Sequence, residues 1–427
     1  MLKFILSILV IFQYSILIAD GELDKSFGIE GKVITKINGK SAHAQDITIL
    51  SNGTIVLAGG STADQFNWDF VIAYYSANGT QNPTFGEIIT NGGTAYTVVI
   101  QKNNMGKEKV IAAGDWLMVR YNTDGTLDNT FGLNGNGKIA TVFTVRCIVI
   151  QKDGKILVAG WKSEGESTNI AIARYSSNGI LDTTFGNNKS GIVTINIGKT
   201  DRAFSIAIDS SEKILLAGST DKTIRLDDTD LKFVIVRLDK NGTLDSTFGE
   251  RGIVVKDIIT DIDDRGKAIA IDHGDRIIIG GTSGNGSSGK YSILCLNREG
   301  EPDKSFGIDG VSTGNINGYM TDLILQHNHK ILVSGTSGNN ASAYFTVARY
   351  NMGGTLDTLF GSEGLATVDF GSYSDIANSI MLQRDGKIVA AGSNGAVGNS
   401  DFVIVRFKGE KSLLTIPLSP LYYLLLN

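Results

Sequence analysis

The sequence predicts an all-β fold: a seven-bladed β-propeller of four-stranded antiparallel blades, with about 55 residues per repeat. Three recurring signals predict it. A Phe-Gly pair returns at Phe27, Phe85, Phe131, Phe185, Phe248, Phe306 and Phe360. A turn such as Asp153-Gly154-Lys155 leads into an apolar run that closes on Gly59, Gly114, Gly160, Gly218, Gly281, Gly335 or Gly392. A second apolar run, such as Phe233-Val234-Ile235-Val236-Arg237-Leu238, starts at Phe70, Trp116, Ile170, Phe233, Tyr291, Phe345 and Phe402. No helical period appears between these signals.

Each unit reads as four strands. The first follows the Phe-Gly turn, as in Gly31-Lys32-Val33-Ile34-Thr35. The second alternates apolar and polar residues, as in Ile47-Thr48-Ile49, with one face covered. Asn-Gly and Asp-Gly turns accept positive φ and connect it to the third strand. A variable loop leads to the fourth, which is apolar at nearly every position and so covered on both faces. A turn such as Asn122-Thr123-Asp124-Gly125 ends the unit. The chain enters at Leu23-Asp24-Lys25-Ser26-Phe27-Gly28 and leaves after Phe402 to Phe407 without another Phe-Gly pair. The N-terminal turn therefore supplies what the last repeat lacks, and the ring closes without free sheet edges. The alternative, an open β-solenoid, has coils shorter than this period.

Composition excludes several classes. The charged fraction of 19% against 42% apolar is not that of a disordered chain. Two cysteines exclude a disulfide-dense scaffold. The 39 basic against 44 acidic residues leave no nucleic-acid footprint. Residues 1–19 carry Lys3 and then an apolar run, with Leu17 and Ala19 placed as the −3 and −1 residues of a cleavage site. This predicts a signal peptide and a secreted, periplasmic or cell-surface protein. Residues 20–408 form the repeat region, and 409–427 an apolar C-terminal tail interrupted by Pro417 and Pro420. Membrane contact is expected only through the signal peptide or that tail.

Three motifs recur together: Leu181-Asp182-Thr183-Thr184-Phe185-Gly186, Asp385-Gly386-Lys387-Ile388-Val389-Ala390-Ala391-Gly392, and Ala173-Arg174-Tyr175-Ser176-Ser177-Asn178-Gly179. Their combination resembles the delta-60 repeat family over residues 21–407. The resemblance implies an exported, mostly bacterial, propeller-like repeat with no general catalytic activity attached to it. The second repeat departs most, with Asn82-Pro83 and an insertion around Asn103 to Lys107, and Cys295 of repeat six stands where Arg is usual.

Two charged columns run through the repeats. Arg120, Arg174, Arg237, Arg349 and Arg406 form one; Tyr74 and Cys295 hold its other places. Asp24, Asp128, Asp182, Asp245, Asp303 and Asp357 form the second, with Asn82 in blade two. Residues that repeat around a ring point to a structural latch, each Arg meeting an Asp, because charges beside apolar strands need partners. The turn Asp239 to Asp245 also has alternating oxygen donors, as a calcium loop needs, but matching turns carry Ser, Arg or Met instead. His327 and His329 sit in a turn of blade six, short of the three or four ligands zinc needs. Cys147 and Cys295, placed in blades three and six, are too far apart to bridge.

Asp227, Asp228 and Asp230, with Asp261, Asp263 and Asp264, form acidic loops that read as solvated faces before glycosidase carboxylates. Gly280 to Gly286 is Gly-rich, lacks the Lys of a phosphate loop and reads as a flexible loop. Trp68, Trp116 and Trp161 mark blades one to three, as packing between blades or as binding anchors.

No catalytic, metal or cofactor site is assigned. The expected function is a monomeric, exported, non-catalytic scaffold that binds a protein or glycan partner. The alternative is a lyase- or hydrolase-type propeller enzyme with its site at the central channel. A polar, asymmetric cleft at a channel mouth favours the enzyme, and a featureless one the scaffold.

Overall fold

The computed structural model describes residues 20–409 apart from 85, 104, 223–229, 285–288, 340–341, 373 and 396–397. The segment read as a signal peptide (1–19), the tail beyond 409, Phe85, Asp227 and Asp228 lie outside the described residues. Within them, seven four-stranded antiparallel sheets form a ring. Blade one is β2 (Ser41–Ile49), β3 (Ile55–Thr62), β4 (Asp69–Tyr75) and β5 (Glu87–Asn91), hydrogen-bonded in that order. Each later blade likewise runs outward from its first strand. The other inner strands are β6 (Ala95–Lys102), β10 (Thr144–Ile150), β14 (Asp201–Ile208), β18 (Asp264–Ile271), β22 (Met320–Leu325) and β26 (Ile376–Leu382). The seventh blade is β26, β27 (Ile388–Asn394), β28 (Asp401–Phe407) and β1 (Lys32–Thr35), with Lys32 opposite Val405 and Thr35 opposite Phe402. The N-terminal strand thus closes the ring. The fold is a seven-bladed β-propeller.

The strand after each Phe-Gly pair is the outer strand of the blade before it. The sequence unit and the blade are therefore one strand out of phase. This corrects two placements. Phe306 is the sixth Phe-Gly pair but follows the fourth-strand run of blade five, so Cys295 lies in blade five, not six. Asn82 precedes β5 and lies in blade one, not two. Gly280 to Ser283 belong to a strand, Ile277–Ser283, and not to a flexible loop.

The core is divided among the seams. One buried cluster joins Val56 and Ile72 of blade one to Val98 and Val110 of blade two, and another joins Ile404 of blade seven to Ile47 of blade one. A blade alone would leave both of its apolar faces in water. The Phe-Gly pairs pin these seams at one face of the ring. Phe185 is fully buried under the Asn241-Gly242 turn of the next blade, and a Cβ on Gly242 would stand 2.7 Å from its ring. The Gly186 N–H donates to the Asn241 carbonyl at 2.7 Å. Phe27 packs under Gly79 in the same way, linking blade seven to blade one.

Cys147 and Cys295 are both buried and unpaired. Burial pushes the Cys295 thiol up to about 12, and Cys147 still higher. A thiol reagent is expected to leave both untouched in the native protein at neutral pH and to count two free thiols after denaturation without reductant. A recovered disulfide would contradict the blade arrangement.

Candidate functional site

The Arg and Asp columns meet on the face that carries the Phe-Gly turns. Arg120 Nε stands 2.7 Å from Asp128 Oδ2, Arg174 2.8 Å from Asp182, Arg237 2.9 Å from Asp245, Arg349 2.7 Å from Asp357 and Arg406 2.9 Å from Asp24. Each guanidinium also lies over the Phe of its own Phe-Gly pair, as Arg237 does 4.5 Å from the Phe248 ring centre. Four of them reach a main-chain carbonyl of the next blade: Ser177, Lys240, Arg298 and Ala77. Each Asp accepts from the backbone and, in most repeats, the hydroxyl of the Ser or Thr two residues on, which explains the Leu-Asp-x-[ST] motif.

A third column meets the other two. Lys109, Lys155, Lys213, Lys330 and Lys387 each contact the same Asp at 2.8 to 3.3 Å. Each of these lysines directly precedes the Ile or Val of the apolar run that closes on the recurrent Gly, and in two repeats it ends an Asp-Gly-Lys triplet, at Lys155 and Lys387. In blade five Cys295 replaces the Arg, and Asp303 turns to Arg276 at 3.3 Å instead. Burial pushes Asp128 and Asp182 up, but the Thr hydrogen bonds and the two cations outweigh it and hold both near 2. In the Asp239 to Asp245 turn, the oxygens a calcium loop would use are largely engaged already. Asp239 Oδ1 accepts from the N–H of Asn241 and Thr243, and Asp245 sits between Lys213 and Arg237.

The axis is different. Every inner strand carries a β-bulge at the same level, between Ala44/Asp46, Ala95/Thr97, Val145/Cys147, Ala203/Ser205, Gly266/Ala268, Met320/Asp322 and Ala377/Ser379. The skipped residues are Gln45, Tyr96, Arg146, Phe204, Lys267, Thr321 and Asn378. All seven line one axial cavity of about 320 Å³. Bulges commonly re-aim a side chain in this way. The recurrent closing glycine is its signature. At Gly59, Gly114, Gly160, Gly218, Gly281, Gly335 and Gly392 a Cβ would stand 1.7 to 2.1 Å from the inner-strand carbonyl just before the bulge. Only glycine admits that carbonyl.

The seven bulge residues are all different, so a symmetric scaffold encloses an asymmetric site. On one side Arg146 Cζ lies 3.7 Å from the Tyr96 ring centre, and Lys267 Nζ lies 3.9 Å from that of Phe204. Trp161 meets the edge of Phe204 at 5.6 Å and stands between Arg146 and Arg202. Burial, with the charges of Arg146, Arg265 and Arg202, lowers the Lys267 ammonium to about 8.

On the other side Ser379 Oγ is 2.8 Å from Asp46 Oδ1 and 2.9 Å from Asp322 Oδ2. The Ser379 hydroxyl bridges the two carboxyls, and its single hydrogen can point to only one of them at a time. Burial raises both acids, and the Asp322 charge helps raise Asp46 to about 6. Backbone N–H groups of Val98 and Ile380 donate to the pair from neighbouring blades.

The remaining candidates scatter. His329 packs edge-on against His273 at 5.7 Å, and among the described residues no group of three or more His, Cys, Asp or Glu side chains could hold a metal. Asp264 is buried and accepts from the N–H of Ile258 and Ile259, holding a crossover between blades. Asp263 pairs with Arg265 at 2.6 Å. Trp68 stacks near His43, and Trp116 is 62% exposed. A further hollow of about 440 Å³ around Gln101 and Arg120 is an open groove on the latch face.

Six stretches, residues 109–131, 151–185, 210–248, 275–306, 326–360 and 383–409, match the family model described as "Domain of unknown function (DUF5122) beta-propeller". No curated protein matches. Among solved structures the chain is similar to Sqt1 from Chaetomium thermophilum, at 12% identity, 87% of this chain, 97% of that one and a TM-score of 0.45. It is also similar to the polysaccharide lyase Uly1, at 10% identity, 86% and 90% coverage and 0.47. A third is virginiamycin B lyase from Staphylococcus aureus, at 12% identity, 88% and 98% coverage and 0.46. These likenesses concern the fold alone and do not separate scaffold from enzyme. The chain is a seven-bladed β-propeller repeat protein.

Proposed function

We propose that the chain is an exported binding propeller of the delta-60 type that takes its ligand, a glycan or protein group, in the axial cavity. The observation that carries this reading is the contrast between two sets of equivalent positions. The Phe, Arg, Asp and Lys columns repeat because every seam needs the same fastening. The seven bulges differ although nothing in the backbone distinguishes them. A packing role would reward one well-fitting residue at all seven, whereas recognition of one ligand needs different groups converging on it.

A catalytic reading draws on the same cavity. Two carboxyls that burial shifts upward, bridged by the Ser379 hydroxyl, and a lysine lowered to about 8 are suited to proton transfer. The cleft is polar and asymmetric, the property that favours an enzyme over a featureless scaffold. Both readings require occupancy of the axis, so binding is the function they share.

Gln45→Trp tests the placement. Gln45 lines the cavity, and a tryptophan there fills it from the bulge. Pull-down of partners with the exported form is expected to lose its specific material with Gln45→Trp and keep it with Trp116→Ala. Both variants should melt like wild type. Retained capture by the plugged variant would move the site to an outer face. Conversion of a captured glycan over time, lost in Asp46→Asn, would favour the enzyme.

A further inference from the structure

We infer that the axial cavity is an oxyanion site, in which Arg146 and Lys267 bind a carboxylate, sulfate or phosphate group of the ligand; this rests on the axial placement proposed above. Arg146, Lys267 and Arg202 converge from blades three, five and four, and none of them forms an ion pair with a carboxylate among the described residues. Elsewhere in the molecule partly buried arginines are paired, as the latch face shows. Here the Tyr96, Phe204 and Trp161 rings hold the cations instead. A ring face steadies a guanidinium or ammonium but accepts few of its N–H donors and leaves its charge uncancelled. Arg146 is helped by the Asp115 charge and a hydrogen bond with Tyr96, while Lys267 has the like charges of Arg146, Arg265 and Arg202 beside it, and partly buried charge so placed is costly. An entering oxyanion supplies both the missing charge and the missing acceptors, and its geometry suits the guanidinium fork.

The opposite wall sets a limit. Asp46 and Asp322, with the Ser379 hydroxyl between them, make that wall acidic. That wall repels a second anionic group but hydrogen-bonds hydroxyls. The fitting ligand is therefore one oxyanionic group, either free or borne on a hydroxyl-rich body such as an acidic sugar.

Calorimetric titration of the exported form with sodium sulfate, sodium phosphate and sodium glucuronate, at constant ionic strength, tests this, with methyl glucoside as the neutral control. Saturable binding of at least one oxyanion is expected, at least tenfold weaker in Arg146→Met and in Lys267→Met. Neither variant should melt below wild type, because each removes an unpaired charge; a purely structural role would lower both. The wild type alone gives a second reading. Affinity should fall between pH 7 and 9 as Lys267, faced by Arg146, Arg202, Arg265 and the Phe204 ring, loses its proton.

Binding of glucuronate without phosphate or sulfate identifies a sugar-borne carboxylate, and comparable binding of the inorganic ions identifies a free-anion pocket. Either outcome supports the inference. Methyl glucoside binding that both substitutions leave intact, with no oxyanion bound, overturns it while the axial site stands. Absence of heat with all three anions overturns it as well.

Discussion

A chain lacking residues 20–36 is expected to lose its cooperative melting transition and to aggregate. The segment supplies β1, which among the described residues is the only strand on the outer side of β28, so its removal exposes an apolar edge strand, Phe402 to Phe407. It also removes Phe27 from the last seam and Asp24 from Arg406. Deleting a buried Phe costs about 3–5 kcal/mol, and stranding a buried charge costs a comparable amount. Together these approach the 5–15 kcal/mol that typically holds a folded domain. Removing residues 355–407 should do the same from the other end of the chain. Size-exclusion chromatography and calorimetry decide the matter. A soluble, monodisperse truncation with one sharp transition would mean that closure is dispensable.

The second large effect separates the two partners of one latch. Asp245→Ala strands Arg237, which is buried, together with Lys213, and is expected to cost roughly 3–5 kcal/mol. Arg237→Ala should cost less, because Lys213 stays 2.9 Å from the carboxylate. It still loses the Arg237 hydrogen bond to the Arg298 carbonyl across the seam. Both variants should keep the ring assembled with a melting temperature lower by several degrees, and Asp245→Ala should melt first. A chelator should leave the wild type unchanged, since Asp245 is held between Lys213 and Arg237 and Asp239 Oδ1 accepts the N–H of Asn241 and Thr243. A chelator-induced drop of many degrees, or the reverse order of the two variants, would overturn this account of the turn.

The sequence by itself determined the architecture, the number of blades and the closure. These depend on local chemistry repeated in every unit: Asn-Gly and Asp-Gly turns that need positive φ, strands apolar on one face or both, and a terminal Leu-Asp-x-[ST]-Phe-Gly without its strand partner. It also exposed the Arg and Asp columns, and the Lys column that meets them is visible as the residue directly before the apolar run in five repeats, Lys109, Lys155, Lys213, Lys330 and Lys387. The blade to which Cys295 belongs needed the tertiary structure, because a repeat that begins one strand early is indistinguishable in sequence from one that begins on the blade.

The axial cavity needed it for a deeper reason. Its residues come from seven strands spread from Gln45 to Ser379. Seven of them, one per inner strand, are aimed inward by a bulge that shifts the alternation of the strand at one residue. Period-two reading cannot see that shift, and a non-repeated residue in a repeat looks like noise. The recurrent closing glycine was visible throughout. Its cause, a carbonyl folded over the neighbouring strand, appears only when the two strands are brought side by side.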